Sequence, residues 1–187
     1  MSHRGTFTLD QLRDGYEAAI NSGSDVRLLM PILGETGCRL GEIVGLRTCD
    51  VDMDEQVIFV RPHKFRRLKT AGSERTLPLV GYALEAMELV LQRADQGVLF
   101  PRYLGEQGIK ATHASNALNL WLKRRFNGLT AHSLRHTMRD RLRAVTTPLE
   151  MIDQIGGWSS INSIGASYGQ GYSVEMVREW MEKVKVQ

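Results

Sequence analysis

The chain has few cysteines and no long apolar run among its 187 residues. Cys38 and Cys49 are too few for a disulfide framework or a zinc site, so we expect both thiols to be reduced. No apolar run approaches the roughly 20 residues that a membrane helix requires. The first ten residues contain no charged-then-apolar secretory leader. These absences predict a cytoplasmic protein with no membrane partner.

Two classes of phosphate chemistry also lack their usual signatures. The chain has no glycine-rich phosphate cradle, which argues against an enzyme acting on small phosphate esters. Its basic segments are not accompanied by the cluster of carboxylates that a two-metal nuclease requires. We therefore expect neither a metal ion nor another cofactor.

Basic residues are unevenly distributed along the chain. The net charge is only +3, but lysines and arginines cluster at 61–69, 123–125 and 135–143, and acidic residues concentrate at 50–55 and 175–182. This asymmetry predicts one phosphate-facing side, whereas the alternative interpretation is a set of solvated helix faces. The candidates for contact with a nucleic acid backbone are Lys64, Arg66 and Arg67.

Apolar spacing and capping signals predict a mostly helical α+β domain with a small antiparallel sheet. Val57–Val60 and Arg75–Leu79 are predicted to pair as strands across a long basic loop, and Val98–Phe100 is predicted to be a short strand. The predicted helices lie at about 8–21, 25–36, 82–94, 111–125, 133–145, 149–155, 160–168 and 173–185, with a further short helix that starts at about Leu40 and carries Glu42 and Ile43.

Four segments carry side chains that suit attack on a phosphodiester. They contain the candidate catalytic residues Arg39, Lys69, His132, Arg135, Trp158 and Tyr168. A tyrosine is a weak nucleophile at its free pKa of about 10 and must lose its proton during attack. Two arginines can bind the charged oxygens of a phosphorane through paired hydrogen bonds, and histidine and lysine can carry protons.

These segments resemble the catalytic domain of tyrosine recombinases, the phage-integrase family, from about Phe7 to about Lys185. The segment His132-Ser133-Leu134-Arg135-His136-Thr137 matches the family's His-x-x-Arg box and its trailing His-Thr. The segment from Lys69 to Leu79 matches Lys-Thr-x-x-Ser-x-Arg-x-x-Pro-Leu. The resemblance implies the DNA breaking-rejoining catalytic fold of this family.

The resemblance also implies a role for each candidate residue. Tyr168 would attack DNA to give a 3′-phosphotyrosine, and Lys69 would protonate the 5′-oxygen that leaves. The phosphorane would be held by Arg39, His132 and Arg135, with Glu42 supporting Arg39. Lys64 is the alternative general acid, and Tyr172, fourteen residues past Trp158, is the alternative nucleophile.

Position 158 departs from the family's common pattern. Most members have histidine after a Leu-Gly pair, whereas Trp158 follows Gly156-Gly157. An indole N–H can donate one hydrogen bond but cannot shuttle protons, so we expect a positioning and phosphate-binding role. The alternative is a core tryptophan. His136 is expected to point away from the face that His132 and Arg135 share.

The activity implied is site-specific DNA recombination or integration by a phage or mobile-element integrase, without metal or ATP. The alternatives are DNA relaxation like that of type IB topoisomerases, or a non-catalytic DNA-binding module. The expected partners are double-stranded DNA and, in a full-length protein, three further copies in a tetramer. The expected location is the bacterial cytoplasm, at the nucleoid when DNA is bound.

The whole chain, 1–187, is expected to be one catalytic domain. Its active-site core would span about 7–168. The C-terminal helix, 173–185, would pack either on a neighbouring protomer or on its own domain. Family members usually carry an upstream DNA-binding domain, which we expect to be absent from this chain.

Overall fold

The computed structural model describes residues 5–158 and 171–187. The α-helices of these ranges are α1 (Leu9–Ser22), α2 (Asp25–Thr36), α3 (Leu40–Val44), α4 (Tyr82–Leu91), α5 (Ala111–Arg125), α6 (Ala131–Ala144), α7 (Leu149–Gly156) and α8 (Val174–Val184). The strands are β1 (Val51–Asp52), β2 (Val57–Val60), β3 (Arg75–Pro78), β4 (Leu104–Gly105) and β5 (Gly108–Ile109). In these two ranges no helix is both long and apolar enough to cross a membrane.

Helix α2 lies at the centre of the hydrophobic core. Every residue from Leu28 to Thr36 is buried, and α1, α4, α5 and α6 pack around it. Ser24 caps its start, and Gly37, in the left-handed region at φ 72°, ends it as the sequence predicts. Because the chain turns at Gly37, the end of this buried helix determines the position of Arg39, two residues later.

Strands β1, β2 and β3 form one antiparallel sheet in that order. The predicted pairing of β2 with β3 is confirmed, with Ile58 opposite Leu77. The sequence prediction missed the two-residue strand β1 and the short antiparallel pair β4–β5. The predicted strand Val98–Phe100 is wrong, because Val98 forms isolated bridges to Arg47 and Asp95 instead of joining a sheet.

Helix α6 begins at Ala131, two residues before the predicted start. Thr130 and Ser133 form a capping box there, so the first helical turn contains His132. The predicted helix from about Ser160 towards Tyr168 lies outside the described residues.

Helix α8 packs on its own domain, against β3 and α6, which is one of the two predicted arrangements. Ser173 caps the helix, and Val177, Met181 and Val184 form its buried side. This burial ties the segment after residue 170 to the helix that carries His132 and Arg135.

A buried carboxylate anchors the tail that follows α8. Glu35 accepts hydrogen bonds from the Tyr16 hydroxyl at 2.9 Å, from Arg141 Nη2 at 2.8 Å and from the Val186 backbone N–H at 2.9 Å. Burial raises the pKa of Glu35, and Arg141 opposes that rise. One side chain of the central helix therefore joins α1, α6 and the C-terminal tail.

Candidate active site

Four of the six predicted catalytic residues line one pocket of about 300 Å³. Arg39 is the N-cap of α3, Lys69 belongs to the loop between β2 and β3, and α6 supplies His132 and Arg135. The remaining lining residues are Cys38, Leu40, Ser115, Asn119 and Ala131. Groups that are up to 96 positions apart in the sequence, from 39 to 135, therefore face a common space.

Glu42 is an anion held between two arginines behind this pocket. Arg75 donates from Nη1 and Nη2 to its two carboxylate oxygens, each at 3.0 Å. Arg39 donates from Nη1 at 3.1 Å and from its backbone N–H at 2.8 Å. Burial would raise the pKa of Glu42, but the hydrogen bonds and charges of Arg75 and Arg39 outweigh it and lower the pKa.

These hydrogen bonds show how Glu42 contacts Arg39, as the expected supporting role requires. The sequence prediction missed Arg75, whose side chain is only 5% exposed. The sequence feature that could have identified Arg75 is its place in the segment from Lys69 to Leu79, which matches the family pattern. Ser73 of the same segment accepts from Arg39 Nη1 at 3.2 Å, which ties the loop that carries Lys69 to the first arginine.

Three arginines from three segments donate hydrogen bonds to consecutive backbone carbonyls at the C-terminus of α7. Arg75 Nε donates to Ile155 O at 2.9 Å, Arg135 Nη1 to Gly156 O at 2.5 Å, and Arg39 Nη2 to Gly157 O at 3.3 Å. The last carbonyls of a helix lack partners within the helix, and the helix dipole favours cations there. The end of α7 is thus a shared anchor for the arginine set.

Arg135 is the most enclosed of the predicted catalytic residues that the structure describes. It is 5% exposed, and its Nη1 also donates to Gly37 O at 2.7 Å. The Arg135 Cζ lies 4.3 Å from the ring centroid of Trp158, which also lies 5.2 Å from Arg139 Cζ. Burial, with a contribution from the charge of Arg39, lowers the pKa of Arg135 to about 10. The guanidinium therefore remains charged at neutral pH.

His132 is exposed at the mouth of the pocket, one turn before Arg135. Its ring meets that of His136 edge to face, with centroids 4.5 Å apart and an interplanar angle of 87°. His136 is not among the residues that line the pocket, so its expected direction away from the face shared by His132 and Arg135 stays a prediction. Residues four apart are neighbours on a helix surface, and this spacing was the signal that could have found the contact.

Asn119 joins α5 to the start of α6. Its Oδ1 accepts from the Ala131 backbone N–H at 2.9 Å, and its Nδ2 donates to Ser115 Oγ at 3.2 Å. This bond satisfies one of the N–H groups that a helix start leaves without a partner. The contact positions the turn that carries His132. No motif marks Asn119, so its role could not be predicted from the sequence.

The basic loop divides its side chains between two roles. Lys64, Arg67 and Lys69 are exposed, and Lys69 lines the pocket, whereas Lys64 lies with Nζ 4.6 Å from the centroid of the Phe65 ring. Arg66 is 9% exposed and donates to the backbone carbonyls of Glu42 and Arg61. Its guanidinium thus supports the loop from within, which contradicts its expected role in contacting DNA.

Of the two nucleophile candidates, Tyr168 lies outside the described residues. Tyr172 is described, and Gln154 holds its backbone through two hydrogen bonds, at 2.8 Å to its N–H and 2.9 Å to its carbonyl. The Tyr172 side chain is half-buried and packs against the hydrophobic core. Its place is fixed by α7 and by the core.

Residues suited to metal binding or thiol chemistry do not cluster in the described ranges. In residues 5–158 and 171–187, no three His, Cys, Asp or Glu side chains are grouped so that they could hold a metal ion. Cys38 is buried 3.5 Å from Arg75 Nη2, and burial raises the pKa of its thiol. The neutral thiol is a packing group behind Arg39.

The model of the phage integrase family matches residues 6–184. The chain belongs to the phage integrase family. Tyrosine recombinase XerC of Herpetosiphon aurantiacus is 28% identical over 147 residues, 73% of this chain and 45% of XerC. Tyrosine recombinase XerA of Thermococcus kodakarensis is 25% identical over 167 residues, 86% of this chain and 55% of XerA. The chain thus spans about half the length of these relatives.

Solved structures of family members establish the fold. A Tn1549 transposon integrase in complex with a circular intermediate DNA superposes with a TM-score of 0.68 at 20% identity, covering 99% of this chain and 67% of the integrase. A XerA recombinase gives 0.68 at 20% identity, covering 100% and 65%. A lambda integrase tetramer bound to a Holliday junction gives 0.59 at 17%, covering 87% and 49%. The predicted fold is confirmed.

Proposed function

We propose that this chain is the catalytic domain of a tyrosine-type site-specific recombinase, which cleaves and rejoins double-stranded DNA. The observation that carries the proposal is the convergence of Arg39, Lys69, His132 and Arg135 on one pocket. Two guanidiniums, an ammonium and an imidazole form a cationic site of the kind that a phosphorane requires. The match to the phage integrase family supports the same reaction.

In the proposed reaction, the Tyr168 phenol gives its proton to solvent and its oxygen bonds to a DNA phosphorus. The bond from phosphorus to the 5′-oxygen breaks, and Lys69 Nζ gives that oxygen its proton. Arg39 and Arg135 stabilise the charge of the phosphorane, and His132 contacts the same phosphate. The bond energy is kept in the 3′-phosphotyrosine, so a second 5′-hydroxyl can reverse the step and rejoin the strand.

We also propose that the parent protein is a phage or mobile-element integrase that assembles as a tetramer. Strand exchange joins two duplexes, which requires several active sites, and the related lambda integrase is a tetramer on a Holliday junction. Its place would be the bacterial cytoplasm, at the nucleoid when DNA is bound. The DNA surface would include Lys64 and Arg67, which are exposed beside Lys69.

The decisive test is covalent trapping on a nicked suicide substrate, at low salt because salt weakens phosphate contacts. Mass spectrometry should locate the nucleotide on Tyr168. Tyr168→Phe should abolish the adduct and retain DNA binding, whereas the matched variant Tyr172→Phe should still form it. An adduct on Tyr172 would reassign the nucleophile. DNA binding without an adduct would favour a binding module, and supercoil relaxation without strand exchange would indicate a topoisomerase.

A further inference from the structure

The end of α7 has room for Trp158 only because residue 156 has no side chain. A Cβ built on Gly156 would lie 1.9 Å from Trp158 Cε3 and 1.9 Å from Cζ3. Real Cβ atoms do not approach ring carbons so closely, since their van der Waals contact is about 3.5–4.0 Å. The present position of the indole and a side chain at position 156 are therefore mutually exclusive.

In that space, the indole packs on the guanidinium groups of two arginines of α6. Arg135 and Arg139 lie one turn apart, and their Cζ atoms are 4.3 Å and 5.2 Å from the Trp158 ring centroid. An aromatic face attracts a guanidinium within about 6 Å, most strongly when water is excluded. Burial has removed much of the water from Arg135, so the ring replaces part of its lost solvation.

The same short segment also holds Arg135 through its backbone. The Gly156 carbonyl accepts from Arg135 Nη1 at 2.5 Å, while the indole two residues later packs on the guanidinium face. The edge and the face of one guanidinium are thus fixed by neighbouring residues of one turn. If the ring were displaced, the hydrogen bond from Arg135 to the Gly156 carbonyl would remain, but the guanidinium would be free to tilt.

We propose that Trp158 is a positioning residue that holds Arg135 through the face of its indole, and that Gly156 is the residue that makes this possible. The inference rests on the proposed function, in which Arg135 binds the scissile phosphate. It keeps the positioning part of the role expected from sequence, but assigns it to the indole face acting on Arg135 instead of to contact between the indole N–H and the phosphate. The two roles separate when the ring is kept and the N–H is removed.

The first experiment compares covalent cleavage rates and DNA binding in Trp158→Ala and Trp158→Phe. The alanine variant should lose roughly 10- to 100-fold in rate, as expected for a misplaced catalytic group, with DNA affinity nearly unchanged. The phenylalanine variant should restore most of that rate, because it keeps an aromatic face. Equal loss in both variants would assign the role to the N–H and overturn the proposal.

The second experiment is a double-mutant cycle with Gly156→Ala. Alanine is a better helix former than glycine, so propensity alone predicts no harm at this helix end. The ring clash predicts a similar 10- to 100-fold loss in the wild-type background, at the same order of magnitude. In the Trp158→Ala background the same change should cost nothing further, because no ring remains to be displaced. Equal losses in both backgrounds would overturn the proposal.

A third measurement does not depend on cleavage. In a Trp121→Phe/Trp180→Phe protein, Trp158 is the remaining tryptophan, and its fluorescence reports the surroundings of the indole. Gly156→Ala should shift its emission, and an unchanged spectrum would overturn the proposal. If the wild-type chain cleaved no DNA but the shift occurred, the proposed function would fail while the Gly156–Trp158 coupling would stand.

Discussion

Arg75 and Glu42 form a bidentate ion pair in which each side chain is only 5% exposed. The pair lies directly behind Arg39, which donates to the same carboxylate. Removing one partner of a buried pair leaves an uncompensated charge, which costs far more than the pair itself contributes. The pair therefore specifies where Arg39 lies, and its loss should affect folding and activity together.

Glu42→Gln keeps the size of the side chain and removes its charge. We expect the free energy of unfolding to fall by about 3 kcal/mol, because two arginines lose their anion, and the cleavage rate to fall as well. Urea unfolding measures the first effect and suicide-substrate kinetics the second. Glu106→Gln, at an exposed position, is the matched control. Equal stability of the two variants would contradict the assignment of Glu42 as an anchor.

The buried carboxylate of Asp50 predicts a defined pH dependence of stability. Asp50 accepts from Arg47 and Arg61, and these hydrogen bonds outweigh the effect of burial and lower its pKa to about 2. The folded pKa lies below the unfolded value of about 3.9, so the stabilisation is present above that value and is lost as the pH falls towards 2. The stability gap between wild type and Asp50→Asn should therefore shrink on acidification.

Urea midpoints of both proteins between about pH 6 and pH 3 test this, within the range where linkage predicts the change. A gap that stays constant across the range would mean that the charge of Asp50 does not contribute to stability.

Arg66 and Arg67 are adjacent, but substitutions at the two positions should show their effects in different assays. Arg66→Met leaves the carbonyls of Glu42 and Arg61 without their donor, which should cost about 1–3 kcal/mol of stability. Arg67→Ala should change stability by less than about 0.5 kcal/mol, because its side chain is exposed. It should instead weaken DNA binding and lower the salt slope by about 1. The reverse pattern would restore Arg66 to the DNA surface.

Asn119→Ala removes the acceptor for the first N–H of α6. We expect a loss of about 1 kcal/mol, typical of a helix cap, and slower cleavage because the turn that bears His132 is less well held. Thermal unfolding and single-turnover cleavage measure the two effects. Asn116→Ala, at an exposed site on the same helix, is the control for stability. Matching melting temperatures would show that the contact does not support the helix start.

Elements with strong local signals could be predicted from the sequence. The capping box of Thr8 and Gln11 starts α1 as predicted, and α5 spans 111–125 as predicted. Here the caps and the apolar spacing determine the structure without help from distant residues. Val98 misled the prediction because a short apolar run is compatible with several buried conformations.

The site shows the same division between local and tertiary information. Arg39, Lys69, His132 and Arg135 were marked by their motifs, but their convergence depends on contacts across up to 118 positions. The burial of Arg66 could not be predicted, because it depends on a carbonyl 24 residues earlier in the chain. Arg66 has the same side chain as its exposed neighbour, and only the tertiary fold distinguishes them.

The three arginine contacts at the end of α7 make this helix unusually intolerant of changes in length. Successive residues of an α-helix are rotated by about 100° and displaced by about 1.5 Å along its axis. One residue inserted or deleted within α7 would therefore turn the carbonyls of Ile155, Gly156 and Gly157 away from all three guanidiniums together. Relatives that retain the reaction should accept substitutions along α7 more readily than any insertion or deletion within it.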